Sequence, residues 1–137
     1  MSSRDPLSTR RGPRPGRALV ALRIEATLLM SLAVGQAGLA AGFLGGDSAL
    51  LPAHQLNAYL LLALTAVVVV TAVLYQRAGG PRWPVWAAGI LIGVEVLQIV
   101  LARSGIVGLH IFCGVLFVVM ATLLTSYLFR PGFVPTV

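Results

Sequence analysis

Four long apolar runs divide the chain: Ala18 to Leu44, Leu56 to Tyr75, Val85 to Ala102 and Ile106 to Phe129. Each approaches or exceeds the ~20 residues that carry a helix across a bilayer core at ~1.5 Å rise per residue. The breaks between them are short and carry turn signals: GGDS at 45–48 followed by Pro52, AGG at 78–80 followed by Pro81 and Pro84, and RSG at 103–105. Connections this short make consecutive helices antiparallel neighbours. The pattern therefore predicts helices over about 18–44, 53–76, 85–102 and 106–129, packed as an up-down-up-down bundle within residues 18–130.

Residues 1–17 are rich in Arg and Pro and are expected to form a disordered tail, with a second short tail over 131–137. Arg10-Arg11 resembles a twin-arginine export signal, but Gly12 and Pro13 follow where an apolar residue belongs. The first apolar run also exceeds the ~7 to 15 residues of a signal-peptide core, so it is read as a retained first helix.

Composition strengthens this picture. With 58% hydrophobic and 10% charged residues and a mean hydropathy of +0.92, the chain cannot clothe a soluble domain. It reads as an all-α membrane protein whose first partner is the lipid bilayer. All ten basic residues are arginine, which with the abundance of Ala, Gly, Val and Leu suggests a high-GC bacterial source. A sequence pI of about 11.1 invites a nucleic-acid reading, but the charge lies in the first 23 residues and at the ends of the apolar runs, where membrane topology accounts for it. No nucleic-acid partner is expected.

With the N-terminus in the cytoplasm, Arg4, Arg10, Arg11, Arg14, Arg17, Arg23, Arg77, Arg82 and Arg130 lie inside and only Arg103 outside. That excess predicts a multi-pass protein of the bacterial inner membrane with both termini cytoplasmic, and Trp83 and Trp86 at the inner interface. The single cysteine, Cys113, excludes an intramolecular disulfide and is read as a small apolar filler.

The two halves of the chain repeat one layout. VGQAGLAAG…PAHQLNAYLLLALTAVVVVT and VLQIVLA…GLHIFCGVLFVVMATLLT each carry a Gln in the outer third of one helix and a His at the outer start of the next. The helix pairs read as duplicates related by an axis along the membrane normal, with loops absorbing the difference in Gln-to-His spacing, 18 residues for Gln36 to His54 and 12 for Gln98 to His110.

In such a bundle helices two and four are diagonal, so His54 and His110 are expected to face each other across its axis. Ala58, Leu61, Thr65 and Ala72 share the face of His54, and Gly114, Phe117, Ala121 and Leu128 that of His110. The small residues one turn along, Ala58 and Gly114, leave a slot for a flat macrocycle. Two imidazoles on opposite faces of one porphyrin, each oriented by a neighbouring polar group, are what bis-histidine haem ligation needs. Haem b is the candidate cofactor, with His54 and His110 as metal ligands and Gln36 and Gln98 either bonding imidazole N–H groups or touching the ring edge. Arg103, Asn57 and Gln55 are expected near the propionates.

The placement of His54 in AHQLNAY and His110 in GLHIFCG resembles one four-helix half of haem A synthase, and small bacterial four-span membrane proteins of the same layout, over roughly residues 24–129. The resemblance implies haem held by His54 and His110. In the synthase an acidic residue stands four positions before the first His of the catalytic half; here that position is Leu50, which removes the basis for oxidative haem chemistry.

Two carboxylates need an account. An ionised group near mid-bilayer costs ~2.5 to 3.5 kcal/mol, so Glu95 is expected to bond a neighbouring helix, through Thr65 or Thr122, or to relay protons below the cofactor. Glu25, close to Arg23 and Arg17, is expected to pair with charge at the inner interface. Gly35, Gly38 and Gly42 are expected to let helix one pack closely within the bundle.

No hydrolase, kinase or metalloprotease motif is present, and no enzymatic activity is indicated. Three functional readings follow: a b-type haem protein for electron transfer or haem handling, a haem-free accessory subunit of a respiratory or other membrane complex, and a small proton-coupled carrier using Glu95.

Overall fold

Each apolar run forms one helix. In the computed structural model, which describes residues 16–130, α1 spans Arg17–Leu44, α2 Leu50–Arg77, α3 Trp83–Arg103 and α4 Val107–Leu128. All four are long and apolar enough to cross a membrane, and no strand occurs among the described residues. The expected tails fall largely on residues 1–15 and 131–137, outside the described residues, whereas Arg17 belongs to α1.

Two helix starts differ from the sequence expectation for one reason. Pro52 and Pro84 do not precede α2 and α3 but sit in their first turns, third and second in the helix. The first-turn N–H groups have no intrahelical acceptor, so proline loses nothing there. The two connections at the histidine end turn on glycines with positive φ, Gly46 at 108° and Gly105 at 69°.

The helices pack in a ring: α1 against α2 and α4, and α3 against α2 and α4. The diagonal pairs α1/α3 and α2/α4 make no backbone-level contact and meet only through side chains that reach the axis. The interior rows follow helical spacing, with Leu22, Ala26, Leu29 and Ala33 of α1 buried beside Leu61, Thr65, Val68 and Ala72 of α2. Ala88, Leu91 and Glu95 of α3 and Phe117, Ala121, Leu124 and Leu128 of α4 complete the core. Large apolar side chains such as Ile24, Val70, Ile90 and Val115 point outward, as a lipid-facing surface requires. Since lipid is as apolar as these side chains, the bundle is held by packing and a small number of interhelical hydrogen bonds.

Some of those bonds lie at the arginine-rich end. Arg23 Nε donates to the Leu128 carbonyl at 2.8 Å, with its guanidinium carbon 5.2 Å from the Phe129 ring centroid, and Thr125 Oγ1 donates to the Ala26 carbonyl at 2.9 Å. Trp83 packs edge-on against Tyr127, with ring centroids 5.8 Å apart. Glu25 does not pair with Arg23: it accepts from Thr71 Oγ1 at 3.0 Å. Residues two apart point to nearly opposite sides of a helix, so Arg23 turns toward α4 while Glu25 turns toward α2.

The glycine edge of α1 also departs from expectation. A Cβ on Gly35 or Gly38 would meet nothing within 4 Å, and only at Gly42 would it run into a neighbour, the Leu50 side chain of α2. Gly35 and Gly38 fall off the interior row that ends in Ala33 and Gln36.

Candidate functional site

The interior rows end in polar side chains at the end of the bundle where α2 and α4 begin. His54 sits in the second turn of α2 and His110 at the first turn of α4, both half-buried. Although their helices are diagonal, the two rings meet: their centroids are 6.3 Å apart and their planes inclined by 69°.

Each helix pair makes the same long-range bond. Gln36 Nε2 donates to the His54 carbonyl at 3.1 Å, and Gln98 Nε2 donates to the His110 carbonyl at 2.8 Å. Both carbonyls lie near the start of their helices, so these glutamines join each helix to its successor at matching points. The spacing difference of the repeat is taken up by a longer first hairpin: α1 runs eight residues past Gln36, while α3 runs five past Gln98.

Hydrogen-bond chemistry then fixes the imidazole protons. Asn57 Nδ2 lies 3.0 Å from the Leu32 carbonyl, which can only accept, so the amide nitrogen is correctly the donor there. The same nitrogen lies 2.7 Å from Gln36 Oε1, which makes that atom the acceptor and leaves Gln36 Nε2 as a donor. Gln36 Nε2 lies 3.3 Å from His54 Nε2, so His54 Nε2 offers a lone pair and the neutral ring carries its proton on Nδ1. Nδ1 is buried without a hydrogen-bond partner among the described residues.

His110 reaches the same tautomer by another route. Its Nδ1 lies 3.1 Å from the Gln98 carbonyl, which again can only accept, so the proton is on Nδ1 and Nε2 carries the lone pair. The two rings thus present Nε2 lone pairs, His54's held by an amide and His110's by no hydrogen bond among the described residues.

The other expected site residues divide. Ala58 and Gly114 are half-buried one turn along from their histidines, and a Cβ on Gly114 would lie 3.7 Å from Gln98 Nε2, so that amide borders the slot. Asn57, expected near the rim, instead spends its amide on the α1–α2 interface. Arg103 is exposed and donates from Nη2 to the Tyr59 hydroxyl at 3.4 Å, outside the imidazole cluster. Gln55 is exposed, and Cys113 is half-buried. The glutamine side chains act as donors to carbonyls and, for Gln36, to a ring lone pair; the one imidazole N–H that a glutamine accepts, that of His110, goes to the main-chain carbonyl of Gln98.

Sequence reasoning did not find the Asn57–Gln36 relay. Its only trace in the chain is an amide three residues after His54 where the second half has Cys113.

Glu95 is 6% exposed, and its Oε1 lies 2.9 Å from Thr65 Oγ1, which also lies 2.9 Å from the Leu61 carbonyl. Thr65 thus shares its hydroxyl between the Glu95 carboxyl and the carbonyl of its own preceding turn, as Thr125 shares its own between the Ala26 and Ala121 carbonyls. Thr122, the other expected partner, is exposed and bonds only the Val118 carbonyl of its own helix, at 2.8 Å.

No cluster of three or more His, Cys, Asp or Glu at metal-binding range exists among the described residues, so any metal here would take its protein ligands from the histidine pair. Comparison with protein-family models, curated proteins and solved structures returns no match.

Proposed function

We propose that this four-helix membrane protein binds one b-type haem between His54 and His110 and serves electron transfer or haem handling. The observation that carries the reading is the pair itself: two imidazoles from diagonal helices, 6.3 Å apart, each set by its contacts in the tautomer with its lone pair on Nε2, that of His54 bonded to the Gln36 amide and that of His110 making no hydrogen bond among the described residues. Two metal–nitrogen bonds of ~2.0 Å with a ring radius of ~1 Å on either side span ~6 Å. The ring spacing leaves room for a metal between them once His54 Nε2 exchanges the Gln36 amide for it.

The donor set is compatible with haem. His54 and His110 would hold the iron, and the Gln98 carbonyl orients His110 and raises its basicity. Ala58 and Gly114 keep bulk away from the ring faces. The bound group supplies one-electron redox chemistry. The chain supplies ligand orientation and an apolar shell that excludes water. With the arginine-rich end cytoplasmic, the pair lies toward the outer face of a bacterial inner membrane, within reach of a partner subunit there.

The full chain, purified in mild detergent and supplied with haem b, is expected to give a reducible Soret and α-band spectrum that disappears in the double variant His54→Ala/His110→Ala. A wild-type chain that stays colourless, or a double variant that keeps the spectrum, contradicts the proposal.

A further inference from the structure

The two histidines are bound differently to their surroundings, and this difference has chemical content. His54 Nε2 already has a hydrogen-bond donor at 3.3 Å, the Gln36 amide, which is itself anchored through Asn57 to the Leu32 carbonyl. When His54 leaves a metal, its lone pair regains that partner. His110 Nε2 has no such partner, so its departure from a metal is not offset.

The Nδ1 atoms point the same way. His110 Nδ1–H donates to the Gln98 carbonyl, which pushes electron density toward Nε2 and strengthens it as a ligand. His54 Nδ1–H is buried and makes no hydrogen bond among the described residues, and the contact of its ring with the Gln36 main chain falls short of one, so His54 has less of that reinforcement.

Resting on the haem reading above, we propose that His110 is the fixed ligand and His54 the displaceable one, Gln36 competing for the lone pair that ligation uses. The site then has one coordination position that opens to a small neutral diatomic ligand, while Gln36 receives the displaced imidazole.

The test uses the haem-loaded full chain, reduced, with carbon monoxide as the probe. His54→Ala is expected to retain haem and bind carbon monoxide at least as tightly as wild type, whereas His110→Ala loses most of its haem. Gln36→Met removes the competing donor at similar size, and carbon monoxide affinity is expected to fall about fivefold to tenfold, the worth of one net hydrogen bond. Equal haem retention in the two histidine variants, or an unchanged affinity in Gln36→Met, overturns the inference and leaves the haem reading intact. A wild-type chain that takes up no haem overturns both. A measurement on the haem-free wild-type chain needs no variant: histidine ring ¹⁵N resonances are expected to place the His54 proton on Nδ1, and a proton on Nε2 overturns the competition.

Discussion

In the first helix pair the Gln36 amide donates to both the carbonyl and the ring of His54; in the second, the Gln98 amide donates to the His110 carbonyl alone and the ring turns to the Gln98 main chain. When Gln36 is set against Gln98 and His54 against His110, the interior rows fall into register. Ala26 matches Ala88, Leu29 matches Leu91, Val68 matches Leu124 and Ala72 matches Leu128, and all eight are buried. Within that register, matched buried positions also differ in chemistry. Ala33 corresponds to Glu95, and Ala121 corresponds to Thr65. The buried carboxyl–hydroxyl pair of the α2–α3 contact therefore stands where the α1–α4 contact has two alanines. A repeated frame fixes which residues face the axis, and the buried carboxyl is then placed on one side of it only.

The sharpest way to break this asymmetry is to copy the carboxyl without its partner. Ala33→Glu places a buried carboxyl opposite Ala121 and is expected to destabilise the bundle by on the order of 3 kcal/mol, measured by unfolding in mixed detergent. Adding Ala121→Thr should recover about 1 kcal/mol by restoring the hydroxyl. A single variant as stable as wild type would mean that the position is not interior. Next in size, Thr65→Val keeps the shape and strands Glu95, at a cost of ~1 to 3 kcal/mol. Thr122→Val, whose hydroxyl is exposed and bonds only its own helix, should stay within ~0.5 kcal/mol.

The glutamines test the comparison more finely. Gln36→Met loses the bonds to the His54 carbonyl and ring and leaves Asn57 without one acceptor, so a loss of about 2 kcal/mol is expected. Gln98→Met loses one bond and should cost about 1 kcal/mol. Equal losses would show that the Asn57 relay adds nothing. At the far end, Arg23→Ala removes a bond to the Leu128 carbonyl and a contact with Phe129 at the partly exposed edge, and roughly 0.5 to 1 kcal/mol is expected.

The bundle was legible in the chain because hydropathy over ~20 residues is decided by the bilayer alone. The helix starts were less so, since Pro52 and Pro84 read as breaks in sequence and as first-turn residues in the fold. The histidine pairing was legible because short loops force α2 and α4 to be diagonal and parallel, which needs no side-chain detail. The Asn57–Gln36 bond was not, since it depends on the rotation of α1 against α2 by a fraction of a turn. Glu25 misled for a related reason: nearness in sequence to Arg23 said nothing about the helix face. Glu95 was half-legible, its burial forced by the cost of a lipid-facing carboxylate and its choice of Thr65 over Thr122 set by packing.

One measurement bears most directly on the claim that two imidazoles from opposite helices share a single metal. It is the electron paramagnetic resonance spectrum of the oxidised, haem-loaded full chain without added ligand. Low-spin iron carrying two axial nitrogen ligands, converted to high spin or lost when either His54 or His110 is replaced by alanine, is the predicted result. High-spin iron in the wild type, or a low-spin signal that survives both replacements, would contradict it.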